Sequence, residues 1–315
     1  MTILACDMGG TRVKLGLVSE GRVLAHDVID AHSDRGLAPR LPALAAALRK
    51  LAADHGTTAE TCDGISVSFP SIMDHATGRI LAEYGKYRDA MDVDMRAWAR
   101  TEFGLPLAIE NDARMAMIGE WRHGAGRGCN NLVMMTLGTG LGTSAIMNGQ
   151  VVRGTHGQAG ILGGHLTVRY GGRPCNCGNI GCAEAEASQA FLSHLAAERP
   201  DFSTSALATA PVLDFGTVFR TAAKGDTCAL AIRDHGLLVW SSLAVNLVHA
   251  YDPEIVIVGG GIMTHAAYIL PAMCAHVERH AHTPWGKVRV VASELGDQAA
   301  LIAGEWLVEE LKKAK

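Results

Sequence analysis

Short apolar runs alternate along this chain with glycine-rich turns and longer stretches of helical period. Residues 3–7 read as a buried strand. The chain turns at Met8-Gly9-Gly10-Thr11, returns as a strand over 13–18 and turns again at Glu20-Gly21. Apolar positions Leu41, Leu44, Ala45, Leu48, Leu51 and Ala52 recur at helical spacing within residues 39–54. Residues 65–69 and 107–109 read as further strands, and a helix opens over 113–120.

The pattern then recurs. Residues 132–137 form an apolar strand, Gly138-Thr139-Gly140-Leu141-Gly142 a turn, and 144–147 a returning strand. Asn148-Gly149 is a hairpin turn leading into Gln150-Val151-Val152. This mirrors the strand, glycine turn, strand, Glu20-Gly21 and Arg22-Val23-Leu24 at the start of the chain. Two such units about 130 residues apart predict an α/β protein of two lobes built on one plan, with an active site between them. Downstream, 237–251 is helical, 255–258 is a strand followed by Gly259-Gly260-Gly261, and 298–313 is a closing helix. The expected lobes are residues 1–112 with 298–315, and residues 113–297.

Length supports two domains, since 315 residues are about twice a typical domain. A 48% hydrophobic fraction with 19% charge excludes a disordered chain. The net charge is −4 and no basic block appears, which argues against sequence-independent nucleic-acid binding. No uninterrupted apolar run approaches the roughly 18 residues of a membrane helix. The start, Met1-Thr2-Ile3-Leu4-Ala5-Cys6-Asp7, lacks the basic residues of a signal peptide. A cytoplasmic protein with neither nucleic-acid nor membrane partner is expected. Cysteine usage agrees: Cys6, Cys62, Cys129, Cys228 and Cys274 are scattered, mostly in apolar settings, as reduced buried thiols would be.

Three glycine-rich turns are candidate phosphate or nucleotide loops. In Asp7-Met8-Gly9-Gly10-Thr11, glycines let backbone N–H groups approach phosphate oxygens and Thr11 adds a hydroxyl donor. Asp7 at a strand end can hold Mg²⁺, and Arg12 and Lys14 add positive charge. The same residues also suit an ordinary β-hairpin. Gly138-Thr139-Gly140-Leu141-Gly142-Thr143 is equally unspecific alone, and neither turn has Walker A or Rossmann spacing. Together, at equivalent places in two repeated units, they favour a bound nucleotide, with Gly259-Gly260-Gly261 suited to lie against adenosine. In Glu110-Asn111-Asp112-Ala113 the strand gives way to the helix. Asn111 and Asp112 there can be N-caps, and Asp112 can also be a carboxylate that accepts a proton from an attacking hydroxyl.

The sharpest signal is His165 with Cys175, Cys177 and Cys182 in a Gly- and Pro-rich segment. One imidazole and three thiolates complete a tetrahedral set with no open position, the pattern of structural zinc. The other reading is a group of reduced core thiols, for which the loop offers little apolar surface.

These pieces, in this order, resemble the ROK family of sugar kinases, whose relatives include transcriptional repressors. Asp7 to Lys14 is similar to the family's first phosphate motif and residues 137–144 to its second. Glu110-Asn111-Asp112-Ala113 looks like the segment with the catalytic Asp and a sugar-binding Asn. The stretch from Cys175 through Glu184 to Ser188, with His165, looks like the family's zinc signature, in which Glu184 and the zinc-bound His165 also contact the sugar. Residues 252–261 look like its adenosine segment, and Leu295-Gly296-Asp297-Gln298-Ala299-Ala300-Leu301 like its approach to the C-terminal helix.

The resemblance implies an actin-like, two-lobed kinase moving the γ-phosphoryl of Mg-ATP to a primary hydroxyl, O6, of a hexose or related polyol. Asp112 would be the base, Asn111, His165 and Glu184 would orient the sugar, and a homodimer is implied. Three departures lie on the sugar side. The family's glutamate three residues before the zinc histidine is missing from Gly160-Ile161-Leu162-Gly163-Gly164-His165, its Pro-Gly sugar loop reads Pro70-Ser71, and a usual Pro-Asn pair is replaced by Tyr84-Gly85-Lys86-Tyr87. Glucose is therefore not the expected substrate, and the flexible Gly163-Gly164 pair could reshape the pocket. A repressor would need a helix-turn-helix region ahead of Asp7, where there is no room for one. A catalytically idle sugar or nucleotide sensor is the alternative function, motivated by the missing glutamate.

Overall fold

The computed structural model describes residues 1–313, which divide into two compact units. Unit 1 comprises Met1–Gly128, Arg153–Ala159 and the residues from Glu294 onward; unit 2 comprises Cys129–Val152 and Gly160–Ser293.

Unit 1 opens with an antiparallel meander of β1 (Thr2–Met8), β2 (Arg12–Ser19) and β3 (Arg22–Asp30). There follow α1 (Leu41–Asp54), β4 (Ile65–Phe69), a small hairpin of β5 (Met73–Asp74) and β6 (Arg79–Ile80), α2 (Met95–Phe103), β7 (Leu107–Asn111) and α3 (Asp112–His123). β4 joins β1, and β7 joins β4, both in parallel. The sheet order is β3-β2-β1-β4-β7. Leu4, Cys6, Leu15 and Val67 from the sheet share a core with Leu44, Leu48 and Phe103 from α1 and α2. Leu48 is fully buried, and burial of such a side chain stabilises by about 2 kcal/mol. Pro39 lies in a 3-10 turn, Ala38–Arg40, so α1 begins only at Leu41. The N-cap Asp94 accepts from Ala97 N–H at 2.9 Å, and Gly104 ends α2 at φ 71°.

Unit 2 repeats the plan. β8 (Leu132–Leu137), β9 (Leu141–Met147) and β10 (Gln150–Val151) form the meander. The chain continues through α4 (Ala183–Ala187), α5 (Leu192–Ala197), α6 (Phe215–Ala222), α7 (Thr227–Tyr251), β11 (Ile255–Gly259), α8 (Ala266–His280) and β12 (Arg289–Ala292). The order β10-β9-β8-β11-β12, with β11 parallel to β8 and to β12, reproduces that of unit 1. α7 has 25 residues and the composition of a membrane span, yet 56% of its most apolar stretch is buried. It packs against α4, α6, α8 and β8, with Trp240 and Leu243 inaccessible to solvent, and is the core helix of this unit. It starts ten residues before the expected position, where Asp226 caps it by accepting from Ala229 N–H at 2.9 Å.

The chain ends in α9 (Ala299–Lys313), which returns to unit 1 and packs on β1, β2, β4 and β7. α3 packs against α9 so closely that a Cβ on Gly119 would lie 2.2 Å from Ala299 O. α3 therefore stays in unit 1, where the sequence reading had placed it in the second lobe. The segment Arg153–Ala159 is held there too. Arg114 Nη2 donates to Gly157 O at 2.9 Å and Ala159 O at 2.8 Å, while Glu110 pairs with Arg114 at 3.1 Å and Arg153 at 2.8 Å. Burial alone would raise the Glu110 pKa; the two guanidinium groups outweigh it and hold the pKa below the usual carboxylate value.

Candidate active site

In unit 1 the candidate residues gather at the carboxyl ends of three adjacent parallel strands, where open α/β sheets bind ligands. Register sets Asp7 beside Ser68 and Ser68 beside Glu110. Ser68 Oγ donates to Asp7 Oδ1 at 2.7 Å. Lys14 Nζ stands 3.8 Å from Asp7 and 3.1 Å from Asp297. Burial raises the Asp7 pKa, opposed by the Ser68 hydrogen bond and the Lys14 charge. Ser68 was missed by the sequence reading. Its signal was there: Ser66 and Ser68 interrupt a strand buried at all five positions.

The turn after β1 is closed by the Gly9 N–H donating to Arg12 O at 3.0 Å. A Cβ on Gly9 would lie 2.6 Å from that oxygen, so no side chain fits. Thr11 and Arg12 are exposed at the tip.

Asn111 is the N-cap of α3, and its oxygen accepts from Ala113 N–H at 3.0 Å and Arg114 N–H at 3.2 Å. Its amide donates to Ser71 O at 3.1 Å and Asp112 Oδ1 at 2.9 Å. The Ser71 hydroxyl is taken up by Ala82 O at 2.6 Å, so Ser71 serves Asn111 through its carbonyl. Asp112 is the first residue of the helix, and its Oδ1 also accepts from Ala113 N–H at 2.8 Å. Its side chain is open to water, yet the protein around it removes much of its solvation. That desolvation, and next the like charge of Asp7, lift its pKa to about 6, against the Ala113 hydrogen bond and the Lys86 charge.

In unit 2, β8 and β11 bring their own loops to the carboxyl edge. The Gly138-Thr139-Gly140 turn is bound from outside: Gln189 N–H donates to Gly138 O at 3.1 Å and Ala190 N–H to Thr139 O at 3.0 Å. Glu184 Oε2 accepts from Leu141 N–H at 3.0 Å, and a Cβ on Gly140 would lie 2.5 Å from the same oxygen. The Glu184 carboxylate, an expected sugar contact, anchors the turn between β8 and β9 through one of its oxygens. Gly142 lies within β9 opposite Thr136. Gly259 ends β11 and Gly260, at φ 94°, passes 2.4 Å from Leu137 O at its would-be Cβ. Beside Gly261 the space is open.

His165, Cys175, Cys177 and Cys182 converge, with all four ligand atoms within 4.8 Å of one another. Cys177 Sγ and Cys182 Sγ are 3.7 Å apart, and Cys175 Sγ lies 3.6 Å from His165 Nδ1. Zinc bonds of normal length in a tetrahedron set S···S edges at about 3.8 Å and S···N edges at about 3.6 Å. The donor set and its spacing fit zinc. Nδ1 is the ring nitrogen of His165 that lies by the thiols.

The segment before His165 differs from expectation. A Cβ on Gly164 would fall 1.9 Å from Leu141 O and one on Gly163 2.5 Å from Thr143 Oγ1. Gly163 N–H also donates to Thr143 Oγ1 at 2.8 Å. The glycine pair is pressed against β9 and serves close packing, not flexibility. Ile161 is buried and Leu162 is 37% exposed, so Leu162 is the more accessible side chain in the stretch from which the acidic residue is missing.

Comparison with known proteins follows this geometry. The ROK family's sequence profile matches residues 3–311. A glucokinase of Halalkalibacterium halodurans is 31% identical over 312 residues, which cover 96% of this chain and 94% of that protein. The ROK hexokinase of Thermus thermophilus matches with a TM-score of 0.83 at 28% identity, covering 100% of both chains. A ROK family glucokinase of Streptomyces griseus, solved in complex with glucose and AMPPNP, matches with a TM-score of 0.79 at 25% identity, covering 98% of this chain and 100% of that one.

Proposed function

The chain belongs to the ROK family, and from that premise we propose that it is a carbohydrate kinase transferring the γ-phosphoryl of Mg-ATP to a primary hydroxyl, O6, of a hexose derivative. The observation that carries this reading is the placing of Asp7 at the carboxyl end of β1 and of Asn111 and Asp112 at that of β7, the two strands that flank β4, with Asn111 hydrogen-bonded to Asp112 at 2.9 Å. A general base needs to be both aimed and ionisable near neutral pH, and Asp112 is held on one side by an amide that also fixes its helix.

Asp112 accepts the proton of the attacking hydroxyl. Asp7 supplies hard carboxylate oxygen to the magnesium of Mg-ATP, whose charge offsets that of the phosphates. Backbone N–H groups of Gly10 and Thr11, and of Thr139 and Gly140, are donors toward phosphoryl oxygens, while the N–H groups of Gly9 and Gly138 hold the two turns closed, and Arg12 and Lys14 add positive potential. Gly259, Gly260 and Gly261 present backbone to the adenosine. Asn111, the Oε1 of Glu184 and the Nε2 of His165 orient the acceptor, and Ser71 holds Asn111. Zinc on His165, Cys175, Cys177 and Cys182 supplies no chemistry to the transfer; it fixes the loop that carries His165. Leu162 in place of an acid makes the acceptor surface more apolar, which disfavours glucose as the preferred substrate.

The test is ADP release from Mg-ATP over a panel of hexoses, amino sugars, ketoses and cyclitols. Sugar-dependent release with a 6-phosphorylated product supports the reading. No release above the ATPase background, with sugars still raising Tm, would replace it by a sensor.

A further inference from the structure

Lys86 lies across the first phosphate turn. A Cβ on Gly10 would fall 2.7 Å from Lys86 Cε and 3.2 Å from Lys86 Nζ, so the end of the lysine side chain lies directly against the backbone of the turn. The lysine is exposed, and among the described residues no carboxylate forms an ion pair with it. Its charge opposes the rise that desolvation and Asp7 impose on the pKa of Asp112. An ammonium left unpaired over a phosphate turn and close to the base lies where negative charge has to be accommodated during the transfer.

The loop that carries it is not a loose one. Gly85 has φ 77° and Tyr87 has φ 53°, a left-handed conformation uncommon for a bulky residue. Tyr87 is nevertheless fully buried. Its N–H donates to Ser33 O at 2.8 Å, its hydroxyl donates to Gly9 O at 2.8 Å, and its ring packs 5.3 Å from that of Phe69. Ser33 Oγ in turn donates to Gly10 O at 2.6 Å. Strained residues persist where their surroundings over-determine them, and such residues cluster at functional sites. Here the surroundings are the phosphate turn itself, so the backbone next to Lys86 and the turn form one piece.

Building on the kinase reading, we propose that Lys86 is a further catalytic residue that contacts the transferring phosphoryl group, with Tyr87 as its positioning residue. The bond from the acceptor oxygen to Pγ forms as the bond from Pγ to the β,γ-bridging oxygen breaks. The hydroxyl proton goes to Asp112, ADP departs with the electron pair, and Lys86 keeps its protons while its charge faces the equatorial oxygens. A compact ammonium acts there as a point charge.

The test uses Lys86→Met, Lys86→Arg and Tyr87→Phe in the full chain. For Lys86→Met, kcat should fall about 10²-fold, the loss typical of one preorganised donor, with acceptor KM within about twofold of wild type. Lys86→Arg should restore most of it. Tyr87→Phe should lower kcat in the wild-type background and add little in Lys86→Met, since both act through one group. A second readout needs no turnover. With Mg²⁺, Lys86→Met should weaken AMPPNP about tenfold and leave ADP unchanged, because only the former carries a γ-phosphoryl group. A kcat within about threefold of wild type, or a loss confined to acceptor KM, would overturn the assignment; the latter would make Lys86 a reader of the acceptor. Absence of turnover by the wild type on every sugar would sink the kinase reading, while the comparison of AMPPNP with ADP would still decide where Lys86 acts.

Discussion

The amide of Asn111 donates to the carboxylate of Asp112 at 2.9 Å while its oxygen caps α3. One side chain therefore both starts the helix and orients the carboxylate proposed as the base. Helix stability and proton acceptance are assigned to neighbouring residues, so substitution can separate them. Asp112→Asn removes the acceptor of the proton and leaves the cap on Asn111 untouched. Turnover on the best acceptor should fall by about 10² or more, with no loss of unfolding free energy at neutral pH, since the substituted amide is never ionised. Asn111→Ala should do the reverse in part, losing about 1 kcal/mol with the cap as well as the aim of Asp112. Steady-state kinetics beside denaturant unfolding make the comparison; near-native turnover of Asp112→Asn would rule Asp112 out as the base.

The acid limb of the pH profile should report the same group. Asp112 must be ionised to accept a proton, and its pKa is raised to about 6 by desolvation and by Asp7. Then kcat/KM for the acceptor should fall about tenfold per pH unit below about pH 6. The effect on stability has the opposite sign. The folded-state pKa lies above the unfolded value of about 3.9, so the folded chain holds this proton more tightly. The stabilising contribution of Asp112 is full below about pH 4 and is lost as pH rises through about 6. A profile flat down to about pH 5 would contradict the assignment.

Zinc content gives a prediction independent of substrate. Metal analysis of purified protein should find one zinc per chain. Cys177→Ser should lose the metal, lower Tm and weaken acceptor binding together, because the proposal gives His165 both roles, as a ligand of the zinc and as a contact of the acceptor. Cys274→Ser, outside the cluster, should leave zinc content unchanged. Stoichiometric metal retained in Cys177→Ser would show that this thiol is not a ligand.

What could be read from the sequence follows from how local each feature is. β4 and β8 have the expected bounds, 65–69 and 132–137, because central strands appear as unbroken apolar runs between turns. The convergence of His165, Cys175, Cys177 and Cys182 was legible because residue type and crowding define such a cluster. α2 was not expected. Its buried positions Met95, Ala99 and Phe103 repeat every four residues, but charged residues between them dilute the pattern; Asp94 and Gly104 were its signals. The membership of α3 in unit 1 depends on its packing against α9, nearly 200 residues later. The Ser68–Asp7 hydrogen bond depends on strand register, and the Glu184–Leu141 bond on where α4 meets β9. Neither has a trace in local spacing.

Specificity is the sharpest consequence of a single side chain. A buried acid that binds sugar hydroxyls discriminates strongly, because a mismatched ligand leaves a polar group unpaired. In this chain Leu162 is 37% exposed at the corresponding place, and Ile161 is turned into the core. The glycine pair behind them is wedged against Leu141 and Thr143 and cannot swing another residue in. On the proposed reading, the acceptor would meet an apolar side chain there in place of an acid. Glucose should be a poor acceptor compared with an N-acylated amino sugar, a ketose or a deoxy analogue, read as kcat/KM under identical Mg-ATP. Leu162→Glu should raise kcat/KM for glucose and lower it for the preferred analogue. Each hydrogen bond to a charged group contributes about 1.5–3 kcal/mol, which corresponds to a shift of roughly 10- to 100-fold. The pair of measurements is more decisive than either alone. Glucose as the best substrate of the wild type by an order of magnitude, with no gain on Leu162→Glu, would mean that another residue supplies the missing acid.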